Sequence, residues 1–155
     1  MLETQQINRA MAEALTAQGF AEDLAWKAVV VHASCKARDR LDETHWNPPV
    51  IMVEKGVYRC GVTGPTWVCN GEIEPQDVEL IPHNFTDPRY LWPAFEAYFN
   101  QAGSEAEWRW YRNSDRWEVG LEMWVRGNHR YVRGEGATLG DALRHAFAAA
   151  LGVNT

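Results

Sequence analysis

The sequence predicts an α+β fold, and three observations carry that prediction. Residues 117–126 alternate: Trp117, Val119, Leu121, Met123 and Val125 fall on one side, and Glu118, Gly120, Glu122, Trp124 and Arg126 on the other. Period-two alternation is the pattern of a strand with one buried face. In the C-terminal segment, Leu139, Ala142, Leu143, Ala146, Phe147, Ala150 and Leu151 recur at helical spacing, the cleanest amphipathic stripe in the chain. Between such segments, Lys55-Gly56 and Gly127-Asn128 separate short apolar runs, as hairpin turns do.

Residues 4–18 read as a helix, because Ile7, Met11, Ala14 and Leu15 recur at helical spacing and Gly19 follows as a stop. A second, longer helix is predicted over 22–42 from the stripe Leu24, Ala28, Val31 and Cys35, with Glu22 and Asp23 suiting its first turn. The β-branched run Val29-Val30-Val31 weighs against it. Pro48 and Pro49 break the chain direction. Residues 50–54 and 57–62 form the first hairpin, and 66–69 and 78–81 are shorter strands separated by Asn70-Gly71 and an acidic loop with Pro75. A seam follows at 82–86.

Asp87-Pro88 is a polar cap followed by a proline at the first helical position, so a helix is predicted to about residue 101, with Leu91, Phe95, Tyr98 and Phe99 on one side. Residues 107–112 and 116–126 make a second hairpin, Gly127-Asn128 turns into a third strand at 129–133, and Gly134 and Gly136 read as an exit loop. Thr138 and Asp141 open the last helix in the manner of a capping box. The chain thus predicts a helical pair with short antiparallel strands over 1–85, then an αβββα unit with a Trp-rich antiparallel meander over 86–155. At 155 residues the two parts are small subdomains or one compact domain.

Composition narrows the function. Hydrophobic residues make up 46%, enough for a core, and the net charge of −6 argues against a broad nucleic-acid surface. No apolar run approaches the length that spans a bilayer, no basic leader opens the chain, and the odd cysteine count fits reduced thiols in a cytoplasmic setting. No cofactor is implied: the glycines at 61–64 and 134–136 lack the Lys-Ser/Thr and strand–loop–helix setting of a phosphate loop.

Asp87-Pro88, Leu91-Trp92-Pro93, the Trp-rich hairpin, and Ala137-Thr138-Leu139 leading into an Ala-rich helix together resemble the phage ABA-sandwich family, over residues 86–152. The resemblance implies a phage or prophage origin and carries no catalytic residues. The expectation is a non-enzymatic accessory protein that binds a host protein or defence complex, in its sharpest form an anti-CRISPR-type inhibitor.

Candidate site residues follow from residue type. Trp108, Arg109, Trp110, Arg112, Glu118, Glu122, Trp124 and Arg126 combine the side chains that carry interface energy, with Glu118 and Glu122 balanced by Arg109 and Arg126. His32 and Cys35 share a helical face and, with Cys60 and Cys69, supply zinc-type ligands; the plainer reading is buried thiols, since no close Cys pair is present. The alternative function is a small-molecule, nucleotide or metal binder with a pocket between the halves, lined by His32, Cys60, Trp67 and Cys69. Self-association through an edge strand, giving a homodimer, is a third reading.

Overall fold

The computed structural model describes residues 3–30, 50–54, 56–61, 71–101, 105–125 and 127–154. Among them are three helices, α1 (Thr4–Ala17), α2 (Pro88–Phe99) and α3 (Leu139–Ala150), and eight strands. The strands are β1 (Trp26–Val30), β2 (Val50–Glu54), β3 (Val57–Cys60), β4 (Glu72–Ile73), β5 (Val78–Pro82), β6 (Glu105–Asn113), β7 (Arg116–Val125) and β8 (Asn128–Gly136). The fold is α+β. The chain divides into two compact units, Met1–Ala25 with Pro82–Thr155, and Trp26–Ile81.

The larger unit is built on an antiparallel sheet in the order β6-β7-β8. On β7, Val119, Leu121 and Met123 are fully buried, as the alternation requires. They share a core with Phe95 and Tyr98 of α2 and Phe147 of α3, whose rings meet at 5.5 and 5.6 Å in edge-to-face fashion. Asp87 caps α2 by accepting from the Arg89 N–H at 2.9 Å, and its carboxyl is held below the usual aspartate range by the Arg89 side chain first and that backbone bond second.

Helix α1 belongs to this unit and buries Ile7, Met11 and Leu15. A polar clip holds it. Buried Asn8 donates from Nδ2 to Asn84 Oδ1 at 3.3 Å and accepts from the Phe85 N–H at 3.3 Å. The expected boundary at 85/86 separates α1 from the C-terminal part, whereas the observed grouping keeps them together.

Two sequence expectations in this unit are corrected. Gly134 and Gly136 are not an exit loop but the end of β8, paired with Val119 and Trp117. They lie where α3 crosses the sheet. A Cβ at Gly134 would run into the backbone of α3, at Ala142 O and Ala146 N, so only glycine admits the helix there. The second turn is also shifted, because Asn128 already belongs to β8, paired with Val125, and Gly127 precedes it at φ 80°.

In the smaller unit, β2, β3 and β4 form an antiparallel sheet in that order, and β1 is hydrogen-bonded to β5. Tyr58 and Ile73 face each other across β3 and β4 and are both buried. The helix predicted over 22–42 is corrected here. Glu22–Leu24 is a single 3-10 turn, and Trp26–Val30 is a strand. The Val29-Val30 run outweighs the weak helical stripe, because branched side chains lose rotamer freedom in a helix and fit a pleated strand. Residues 31–42, and the strand expected at 66–69, lie outside the described residues.

Candidate functional site

The β6-β7-β8 register sorts the sheet's side chains onto two faces. Trp117, Val119, Leu121, Met123 and Val125 of β7 align with Trp108, Trp110 and Arg112 of β6, and with Arg130, Val132, Gly134 and Gly136 of β8. This is the helix-covered face. The opposite face carries Glu105, Glu107, Arg109 and Tyr111 of β6, Glu118, Gly120, Glu122 and Trp124 of β7, and His129, Tyr131, Arg133 and Glu135 of β8.

The predicted binding set is therefore divided. Trp108 and Trp110 are 5.1 Å apart by ring centroid, Trp92 of α2 packs edge-on against Trp108 at 6.2 Å, and the Arg112 guanidinium lies 5.3 Å from the Trp117 ring. Trp108 is half-buried on the helix side, whereas Trp110, at 54%, and Arg112 are exposed. Arg109, Glu118, Glu122 and Trp124 stand on the open face. Arg126 lies outside the described residues.

On that open face Tyr111, Trp124 and Tyr131 are exposed by 49, 37 and 57%. Tyr131 leans over Gly120: a Cβ there would be 2.5 Å from its hydroxyl. The missing side chain lets the ring lie against the backbone, and a notch of about 90 Å³ opens between Tyr131, Tyr111, Arg109, Glu107 and Glu122. Among the described residues Arg109 does not balance Glu118 or Glu122, and the part of that expectation that falls on Arg126 lies outside them. Glu118 pairs with Arg133, and Glu122 accepts from His129 Nε2 at 2.8 Å, because β8 lies directly beside β7. Arg109 instead holds Glu107 at 3.1 Å, and that bond, with Tyr111 adding to it, raises the guanidinium further above its ordinary value. Trp124 stacks obliquely on His129 at 4.9 Å.

A second feature lies beyond the sequence expectations. Thr4, Ile7, Asp115, Arg116, residues 133–137, Asp141, Arg144 and His145 line an open cleft of about 850 Å³. Arg144 is only 4% exposed, although it falls outside the amphipathic stripe of its helix. Ala148, four residues on, is fully buried as well, so α3 is covered on more than its sheet face. The alanine-rich composition is the available signal, since small residues permit close approach on several sides. Burial pushes the Arg144 guanidinium below its ordinary value, with Asp141 partly offsetting it.

Of the metal candidates, Cys60 is buried, at 1% exposure, and His32, Cys35 and Cys69 lie outside the described residues, as does Trp67 of the alternative pocket. Among the described residues no group of three or more His, Cys, Asp or Glu side chains could hold a metal ion. No described helix is long and apolar enough to cross a membrane. No family model, curated protein or solved structure matches this chain.

Proposed function

We propose that this protein acts without catalysis, by docking a protein partner with a basic surface on the open face of the β6-β7-β8 sheet. The observation that carries the reading is the composition of that face. Among the described residues, three exposed aromatic rings, Tyr111, Trp124 and Tyr131, stand among Glu105, Glu107, Glu118, Glu122 and Glu135, with Arg109, Arg116 and Arg133 as the opposing arginines. Aromatic rings supply contact area at low entropic cost, and the surplus of carboxylates selects a cationic partner and disfavours nucleic acid. The resemblance of residues 86–152 to phage proteins makes a host defence complex the first partner class to test. A counter-defence inhibitor is the specific form of the proposal.

The test is affinity capture from bacterial lysate, followed by measured binding to each isolated partner. Trp124→Ala is expected to weaken binding by at least about 30-fold, equivalent to about 2 kcal/mol at a central anchor. Glu122→Lys is expected to weaken it further at low salt than at high salt. The melting temperature of either variant should stay near the parent's. A partner bound equally by the parent and both variants would remove the open face from the function.

A further inference from the structure

The two outer edges of the meander are finished differently. At β8, helix α3 crosses at Gly134 and Gly136, and His145 Nδ1 donates to the Glu135 carbonyl at 2.6 Å, so part of that edge is covered. Strand β6 forms the other edge. It pairs with β7 without a bulge from Glu105 to Asn113, and every one of its residues except Trp108 is exposed. It contains no proline and no lysine, the residues that commonly blunt a free edge.

The turn after β6 fixes which of its backbone groups face outward. Asn113 pairs with Arg116 across the two residues 114–115, so the backbone of Asn113 bonds to β7, as does that of every second residue before it. The N–H and C=O groups of Ala106, Trp108, Trp110 and Arg112 therefore point away from β7. Among the described residues no backbone group bonds to them on that side. The charges of the strand also cancel, Glu105 and Glu107 against Arg109 and Arg112, whereas the whole chain carries −6. Net charge opposes the association of two copies, and this strand does not add to that repulsion.

We infer that β6 pairs with β6 of a second copy of this chain, antiparallel about a twofold axis at Trp108, to make one continuous six-stranded sheet. This register sets Glu107 opposite the partner's Arg109, twice by symmetry, and Trp110 opposite the partner's Ala106, large against small. Moving the axis by one residue sets Glu107 against Glu107 or Arg109 against Arg109, and like charges directly opposite destabilise a ladder. An axis at Trp110 leaves Glu107 opposite Asn113 and Arg109 opposite Tyr111, with no ion pair. Within one chain the Glu107–Arg109 pair, at 3.1 Å, is exposed at both ends and can exchange for the bond across the axis. On the helix-covered side, exposed Trp92 and Trp110 flank Trp108, and the axis brings the indoles of both copies together. Such an interface is isologous and closes at two copies. Trp124 stays one strand in from the seam, so the dimer carries two open faces side by side, whether or not a partner docks on them.

The test is sedimentation equilibrium of the purified full chain over a concentration series, with amide exchange followed in parallel. The mass should rise from that of one chain to that of two and stop there. The Ala106, Trp108 and Trp110 amides should exchange more slowly as dimer forms. Glu107→Arg and Arg109→Glu should each raise the dimer Kd at least about tenfold, because each turns both ion pairs into like-charge contacts. Mixing the two variants should restore association, since opposite charges then face each other across the axis at both pairs; unfolded variants would not be rescued in this way. Trp124→Ala should leave the dimer intact, which separates this edge from partner docking. A mass of one chain throughout, or of more than two, overturns the inference. So does a dimer that neither folded charge variant weakens, or a mixture of the two that stays monomeric. Should either variant fail to fold, the mass and amide exchange of the parent decide.

Discussion

At the scale of single residues, two glycines of the same sheet make opposite predictions. A methyl group at Gly134 would meet the α3 backbone, at Ala142 O and Ala146 N. Backbone in a packed helix cannot step aside, so Gly134→Ala is expected to cost about 3 kcal/mol in chemical denaturation, at the upper end of ordinary overpacking. At Gly120 the obstacle is the tip of the Tyr131 side chain, 2.5 Å away and 57% exposed as a residue. That ring can swing into solvent, so Gly120→Ala should change stability by no more than about 1 kcal/mol, helped by the better strand propensity of alanine. Equal losses at the two sites would mean that α3 is not seated on Gly134. The sequence pattern places Gly120 within its strand but puts Gly134 in a loop. A glycine that marks a loop and one that admits a crossing helix look alike until the helix is placed.

At the scale of elements, α3 shows how a helix is held at its ends as well as along its face. Thr138 accepts from the Asp141 N–H at 3.1 Å at the start. At the finish, Arg130 of β8 donates to the Ala150 and Ala149 carbonyls at 3.2 and 3.4 Å. A cation at a helix C-terminus both fills orphan acceptors and opposes the dipole. Arg130→Met, which keeps most of the stem, is expected to lower stability by about 0.5 to 1 kcal/mol. Amide exchange should speed up in the last turn of α3 before anywhere else in the helix; an even loss of protection along the helix would assign Arg130 a role in packing instead. The start of α3 is legible from Thr138 and Asp141, which are local to it. The C-terminal cap is not, because its donor comes from an earlier strand whose register must be known first.

At the scale of the whole molecule, the decisive feature is that α1 folds with the C-terminal part. Burying Ile7, Met11 and Leu15 contributes about 4.5 to 9 kcal/mol at roughly 1.5 to 3 kcal/mol per large apolar side chain, an upper estimate. That is comparable with the total stability of an ordinary domain, about 5 to 15 kcal/mol. A fragment of residues 82–155 should therefore lack a cooperative thermal transition, and adding residues 3–25 through a flexible linker should restore one. A cooperative transition in the shorter fragment would show that the meander and its two helices are self-sufficient. Thr4 and Ile7 of α1 also line the cleft beside α3, so a chain lacking α1 would lose that wall.

What the sequence determined by itself is what short-range chemistry controls: the α+β class, the alternation that buries Val119, Leu121 and Met123, the Asp87 and Thr138 caps, and the hairpin order of the meander. Each depends on residues a few positions apart, where steric and hydrogen-bonding preferences act directly on the backbone. Only the tertiary structure decided the rest. Local pattern leaves 22–30 ambiguous, and the β-branched residues there form a strand with β5 as partner. The binding residues chosen by type alone are split between two faces, because the faces are set by the pairing of β6 and β8 with β7. Arg144 lies outside the helical stripe, which specifies one buried side, whereas burial on a second side depends on what else packs there.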